Sequence, residues 1–284
     1  MWTAQTVADL RVLRRSLKGT VAFVPTMGAL HTGHISLIHA GKKLADHVIV
    51  SIYVNPTQFG PKEDFTKYPR TLADDLAMCK EAGATGVFNP GNEEMYPPHG
   101  LECSTLIPAL DTILEGAFRP GHFAGVCRVV AKLFNMVQPD VACFGRKDFQ
   151  QLRVIEEMTH DLAMPIRIVG CPTLRDPDGM AMSSRNRYLT PETRKRGLGL
   201  FKALSEARAM VEERGELDPH AVEAAMNMIL LSHKVDVQYA VVRHPHTLGK
   251  LDVIEPKLTG GVVALIAVKV DEVRLIDNMV LGER

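Results

Sequence analysis

The sequence predicts an α/β protein: a doubly wound parallel sheet followed by a smaller C-terminal α/β domain. Apolar, β-branched runs such as Val21-Ala22-Phe23-Val24 and His47–Val54 alternate with segments whose apolar residues recur at helical spacing. The runs are continuously apolar, as in strands buried on both faces. Glycines stand where such strands give way to helices, at Gly28 and Gly33 and again at Gly145. In sheets of this kind ligands bind beyond the carboxyl ends of the strands.

Met1 to Lys18 sets Asp9, Arg11, Arg14 and Arg15 among Val7, Leu10, Leu13 and Leu17, the pattern of an amphipathic helix and not of a targeting signal. A strand over Val21–Val24 leads to a helix from about His34 to Ala45, a strand over His47–Val54 and a helix around Leu72–Ala82. Gly86–Phe88 and Ser104–Ile107 read as further strands. Helix Phe123–Met136, strand Asp140–Phe144, helix Phe149–Leu162 and strand Ile166–Val169 complete the series. These elements assign residues 1–174 to the larger domain and 175–284 to the smaller. In the latter, Thr190-Pro191-Glu192 supplies the cap, first-turn proline and acidic residue of a helix running to about Arg214. A second helix over Pro219–Leu231 precedes strands near Val235–Val242, Val262–Val270 and Val273–Ile276.

Composition narrows the function. Of 284 residues, 46% are hydrophobic and 23% charged, as in an ordinary globular enzyme. Thirty-three basic side chains balance thirty-three acidic ones, so no net field draws nucleic acid or an anionic membrane. No apolar run approaches the roughly 18 residues of a membrane helix. The five cysteines stand at least sixteen residues apart, which is neither a disulfide framework nor a zinc ribbon and suggests a reducing compartment. A cytoplasmic protein is expected.

The segment Pro25-Thr26-Met27-Gly28-Ala29-Leu30-His31-Thr32-Gly33-His34 joins the first apolar strand to its helix. First-turn N–H groups and the peptide dipoles make such a junction a seat for phosphate. His31 and His34 flank Gly33 there, and imidazoles donate hydrogen bonds to phosphoryl oxygens. They also read as solvent-exposed bystanders, or as half of a zinc site, although no neighbouring Cys or carboxylate cluster completes a ligand set.

Other polar groups fall at the ends of predicted strands. In Asn55-Pro56-Thr57-Gln58-Phe59, Gln58 is able both to donate and to accept, as a substrate with a hydroxyl and a carboxylate requires, or serves only its own loop. In Gly145-Arg146-Lys147-Asp148-Phe149-Gln150-Gln151 a second strand ends in glycine before a helix. Lys147 offers a phosphate a compact charge, and Gln151, four residues on, shares its expected helical face. Asp148 reads as the helix cap, or as a group for a ribose or a metal-bound water. The charged loop from Glu115 through Arg119 and His122 to Gly125 reads as a flap or as a surface turn, its polar density favouring the flap. Finally, Met182-Ser183-Ser184-Arg185 follows the turn Asp176-Pro177-Asp178-Gly179 and places two hydroxyls and a guanidinium in succession, the donors of a phosphate site or of a helix cap.

His31-Thr32-Gly33-His34 resembles the His-x-Gly-His signature of the nucleotidyltransferase superfamily, and Met182–Arg185 resembles its Lys-Met-Ser-Lys-Ser partner, about 150 residues later. The two in that order are far more specific than either. The finer resemblance is to the pantoate–β-alanine ligase family. It is carried by Pro25–His34, Val54–Phe59, Tyr68-Pro69-Arg70-Thr71, Leu114-Glu115-Gly116, Arg119–Phe123, Cys143–Gly145 with Lys147–Gln151, Ser183–Asn186 and Arg274-Leu275-Ile276-Asp277-Asn278. It runs nearly the whole length and is least distinctive over the last hundred residues. At Arg128 the sequence departs from it, a small or hydroxylated residue being expected there.

The resemblance implies a Rossmann-like fold of the His-x-Gly-His superfamily and an enzyme that joins pantoate to β-alanine at the expense of ATP, through a pantoyl adenylate, releasing AMP and pyrophosphate. It implies that Met27, Gly28, Ala29, Leu30, His31, Thr32, Gly33 and His34 contact ATP, with His34 and His31 at the phosphates. Gly145, Arg146, Lys147, Asp148, Met182, Ser183, Ser184 and Arg185 would bind ATP too, with the backbone near Leu174 reaching the adenine. His31, His34, Lys147 and Arg185 would be catalytic. Gln58 and Gln151 would hold pantoate, and Gln58 would also meet β-alanine. Magnesium would ride on the triphosphate without a dedicated protein cage, and the family implies a homodimer. Two other readings stand beside this one. A nucleotidyltransferase with a phosphate acceptor is disfavoured by the neutral Gln58 and Gln151, and a non-catalytic nucleotide or RNA binder by zero net charge and the intact cationic groups.

Overall fold

The computed structural model describes residues 1–61, 63–98, 103–255 and 260–282. The chain divides into two compact units, one of Met1–Arg146 with Gln150–Pro172, the other of Lys147–Phe149 with Thr173–Arg284.

The first unit is a six-stranded parallel sheet, in the order β1-β4-β3-β2-β5-β6. Its strands are β1 (Trp2–Ala4), β2 (Val21–Thr26), β3 (His47–Ile52), β4 (Gly86–Phe88), β5 (Val141–Gly145) and β6 (Arg167–Cys171). Between them lie α1 (Val7–Ser16), α2 (Thr32–Leu44), α3 (Leu72–Glu81), the short α4 (Asn92–Met95), α5 (Pro108–Asp111) and α6 (Glu115–Phe118), then α7 (His122–Val137) and α8 (Phe149–Asp161). From β2 the chain winds outward through β3 to β4, then returns to place β5 on the other side of β2. The loops after β2 and β5 therefore diverge at the switch point, the place where a doubly wound sheet opens a ligand crevice.

The central strands are apolar on both faces because both are covered. Val24, Val50 and Val141 pack under α2 with Leu37 and Ile38. Phe23 meets Phe134 of α7 edge-on, ring centroids 6.3 Å apart. Helix α7 places Phe123, Val126, Val130, Leu133 and Val137, all buried, at spacings of three and four.

The second unit holds α9 (Pro191–Gly197), α10 (Gly199–Glu212) and α11 (Pro219–Ser232), with an antiparallel sheet of β7 (Asp236–Arg243), β8 (Val262–Val270) and β9 (Val273–Leu281) in that order. Leu204, Met226, Leu230, Val242, Ile266 and Val268 form its core. Among the described residues no helix is long and apolar enough to cross a membrane.

Four local expectations are corrected. The N-terminal segment opens with strand β1, too short for a periodicity signal, before a helix capped by Thr6, whose Oγ1 accepts from the Asp9 amide. Ser104–Ile107 forms no strand and leads instead into the turn begun by Pro108. The helix foreseen over Pro191–Arg214 is broken at Gly197-Leu198-Gly199. A Cβ on Gly199 would lie 2.9 Å from that of His233, so the glycine permits an approach that a continuous larger-residue helix would not. Strand β9 runs on to Leu281, past the polar pair Asp277-Asn278 that interrupts its apolar signal.

Candidate active site

The loop after β2 is held by a buried carboxylate. Asp75 of α3, 1% exposed, accepts from the Ala29 amide through Oδ2 at 3.0 Å and from the Leu30 amide through Oδ1 at 2.8 Å. The Thr71 hydroxyl donates to the same Oδ1 at 3.2 Å. This grip sustains backbone that side chains disfavour: Gly28 has φ 80° and Ala29 φ 49°. A Cβ on Gly28 would stand 2.9 Å from Asp75 Oδ2, so the residue must be glycine for the loop to close on the carboxylate. Nothing local in the sequence announces this role of Asp75, because the loop amides that it holds lie some 45 residues away.

The loop ends in an unusual capping box. His31 is the N-cap of α2, and its Nδ1 accepts from the Gly33 amide at 3.1 Å, while His34 Nδ1 accepts from the His31 amide at 3.3 Å. The rings lie 4.1 Å apart. With both Nδ1 lone pairs engaged by N–H donors, each neutral ring carries its proton on Nε2 and is a hydrogen-bond donor there.

Gln58 lies in a 3-10 turn, Pro56–Gln58, within a buried amide network. Its Oε1 accepts from Asn55 Nδ2 at 3.0 Å, and the same Nδ2 reaches the Gly125 carbonyl at 3.2 Å. That fixes the amide orientation and turns Gln58 Nε2 toward Met27, 3.1 Å from its Sδ. A thioether is a weak acceptor that a carboxylate or hydroxyl oxygen readily replaces. Asn55 Oδ1 accepts from the hydroxyls of Thr57 and Tyr96, both at 2.9 Å. The departure at Arg128 finds its place here, the guanidinium lying 4.6 Å from the centre of the Tyr96 ring.

The charged segment from Glu115 to Gly125 is not a surface turn. Glu115, Gly116 and His122 are buried, and Gln150 accepts from the Glu115 amide at 2.9 Å. Arg119 forks onto Glu63 at 2.6 and 2.7 Å and donates from Nη1 to His122 Nε2 at 3.0 Å. His122 Nδ1–H in turn donates to the Gln58 carbonyl at 2.8 Å. Burial first, and the adjacent Arg119 charge second, push the His122 pKa down to about 4, so the ring is neutral. Burial raises the Glu63 pKa, but the Arg119 fork together with a backbone hydrogen bond at Gly60 and the neighbouring His122 holds the carboxylate below its ordinary range. Gly125 lets α7 meet the Gln58 turn: a Cβ there would lie 2.3 Å from the Thr57 carbonyl oxygen.

A cavity of about 620 Å³ opens at the carboxyl edge of this sheet, lined among others by Met27, Gly28, Tyr53, Arg70, Asp75 and Asn92. Gly145 ends β5, and Gln151 stands in the first turn of α8. Lys147 lies in the 3-10 turn Arg146–Asp148 that precedes α8, and not in the helix that carries Gln151.

The second unit carries the remaining expected residues. The Leu174 carbonyl accepts from the Met182 amide at 3.0 Å, closing the turn between them. Ser183 caps the 3-10 turn Ser184–Tyr188, its Oγ accepting from the Arg185 amide at 3.3 Å, and Asn186 donates to the Ala181 carbonyl at 3.0 Å. Arg175 forks onto Asp277 at 2.6 and 3.0 Å. Among the described residues no group of three or more His, Cys, Asp or Glu gathers in a way that would hold a metal ion.

A doubly wound sheet with a paired-histidine cap at its switch-point loop is the arrangement expected of a nucleotide-binding enzyme of the His-x-Gly-His class. The family model for pantoate-beta-alanine ligase matches residues 2–280. A pantothenate synthetase of Acidothermus cellulolyticus is 48% identical over 97% of this chain and 90% of its own length, and one of Chloroflexus aggregans is 47% identical over 99% and 100%. The crystal structure of the pantothenate synthetase from Thermus thermophilus superposes with a TM-score of 0.91, at 43% identity, over 98% of this chain and 99% of that one. That of the Francisella tularensis ligase, complexed with β,γ-ATP and β-alanine, gives 0.80 at 33% identity, over 99% and 97%. The chain belongs to the pantoate–β-alanine ligase family.

Proposed function

We propose that the chain condenses pantoate with β-alanine by activating pantoate on ATP, with His31, His34, Lys147 and Arg185 stabilising charge on the phosphates and Gln58 and Gln151 holding pantoate. Family membership makes ATP a substrate; magnesium would accompany its triphosphate and offset part of its charge. A pantoate carboxylate oxygen attacks the α-phosphorus, and the bond to the β-phosphate bridging oxygen breaks to release pyrophosphate. The β-alanine amine then attacks the acyl carbon, loses a proton, and AMP leaves. Two anions must meet in the first step, so positioning and charge compensation dominate the catalysis.

The observation that carries the reading is the reciprocal histidine cap. Both Nδ1 atoms are taken by backbone amides, so each Nε2–H is committed to donation, as suits charge building on a phosphoryl oxygen. Gln58 supports the pantoate assignment, since Asn55 holds its oxygen and aims its Nε2 as a donor. Met27 through Gly33, Gly145, Arg146, Asp148, Met182, Ser183 and Ser184 line the nucleotide, with Leu174 at the adenine. The reading includes a cytoplasmic protein without nucleic-acid or membrane partners, in keeping with five free thiols and balanced charge, and a homodimer, which rests on the family resemblance alone. Omitting each substrate in turn tests it: AMP release needs pantoate and β-alanine together, and AMP release without pantoate would remove the acceptor assignment.

A further inference from the structure

The block Arg274–Asn278 has no role in the chemistry above, yet its last two residues are buried polar groups in the middle of β9: Asp277 is 4% exposed and Asn278 6%. Buried polar side chains are costly unless their hydrogen bonds are made, so what they hold is informative. Neighbouring side chains leave a strand on opposite faces, which lets one step of β9 serve two partners. Asp277 takes the Arg175 fork, and the Arg175 guanidinium also reaches the Asn278 carbonyl at 3.3 Å and lies 4.8 Å from the Phe201 ring centre. Asn278 Nδ2 donates to the backbone carbonyl of Lys147 at 2.7 Å. That bond spans 131 residues and ties the short segment at Lys147 to the C-terminal sheet. The same segment, Lys147–Phe149, packs as part of the second unit although its chain neighbours on both sides belong to the first.

We infer that Asn278 is a positioning residue for the adenylation step: it fixes the backbone at Lys147, and thereby where the ammonium is presented, while the Arg175–Asp277 pair holds the step of β9 from which it acts. The inference rests on the reading of Lys147 as a phosphate cation. The amide is suited to the task because the Lys147 carbonyl only accepts, so the bond requires the donor end of Asn278. Asn278→Asp keeps the volume and removes that donor, setting a carboxylate against a carbonyl; Asn278→Ala removes both.

The test is a double-mutant cycle with Lys147→Ala, read as pantoate-dependent exchange of pyrophosphate into ATP. Each Asn278 variant should lower the exchange kcat by roughly 10- to 100-fold, the scale set by a misplacement of about 1 Å, with the pantoate KM within about twofold of wild type. In the Lys147→Ala background the same substitutions should cost less than about twofold, because the group they position is gone. Additive losses, or Asn278 variants at the wild-type rate beside an impaired Lys147→Ala, would overturn the inference and leave the Lys147 assignment standing. Lys147→Ala at the wild-type rate would remove that assignment and the inference with it. Amide hydrogen exchange gives a readout independent of activity: Asn278→Asp should speed exchange within residues 145–149 and leave the β2 loop unchanged. Unaltered exchange at 145–149 would contradict the inference.

Discussion

Asp75 supplies the charge that the Met27–Leu30 loop lacks. Two loop amides and a threonine hydroxyl converge on its carboxylate, and the left-handed Ala29 persists because both adjoining N–H groups have a buried partner. Asp75→Ala should therefore destabilise the fold by about 1–3 kcal/mol for each amide left unpaired, and lower adenylation at least tenfold in the fraction that folds. Chemical denaturation and pyrophosphate exchange measured on one preparation check both, and a stable, fully active variant would show that the loop holds itself. His34→Ala is expected to act differently. If His34 acts at the phosphates as proposed, the substitution removes one donor toward the developing charge, so kcat should fall by about 10²–10³-fold, with circular dichroism unchanged. If Gln58 holds pantoate as proposed, Gln58→Ala should appear mainly as a raised pantoate KM, because that donor is gone while Asn55 Nδ2 keeps the Gly125 carbonyl. A pantoate KM equal to that of wild type would take Gln58 out of the site.

The first turn of α7 carries acid sensitivity and packs against the Gln58 turn. His122 is neutral and buried between Arg119 and the Gln58 carbonyl, its pKa pushed down to about 4 from an ordinary 6.5. An unfolded chain binds a proton in that interval and the folded chain does not, so stability is full above about pH 6.5 and is lost as pH falls toward 4, by roughly 3 kcal/mol in all. The depressed carboxylate of Glu63 acts in the same direction, its stabilisation also disappearing on acidification. Replacing His122 with Gln should flatten the pH dependence of denaturation between pH 7 and 5; an unchanged slope would place the titration elsewhere. At Gly125 the helix has no room for a side chain, the Cβ position lying 2.7 Å from the Gln58 Cα. Gly125→Ala should cost about 1–3 kcal/mol and raise the pantoate KM through displacement of the Gln58 turn.

At the scale of the molecule, what the sequence disclosed and what it hid divide by range. Strands β2, β3 and β5 and helix α7 are legible because burial on both faces, or on one stripe, writes its period into neighbouring residues. The histidine pair is legible because both members sit within one turn of a helix start. Asp75, the Glu63–Arg119–His122 chain and Asn278 are not, since each is defined by a distant partner: 45 residues away for Asp75, 56 for Arg119 and 131 for Asn278. Strand β9 reads short in the sequence for a related reason: Asp277 and Asn278 look like a turn until Arg175 and the Lys147 carbonyl are seen opposite them. The reaction proposed for the chain is the making and use of an acyl adenylate. Its most direct test is exchange of labelled pyrophosphate into ATP with pantoate present and β-alanine absent. Exchange should depend on pantoate and need no β-alanine, with net AMP release only when both are supplied; exchange that demands β-alanine, or formation of ADP in place of AMP, would contradict an acyl-adenylate route.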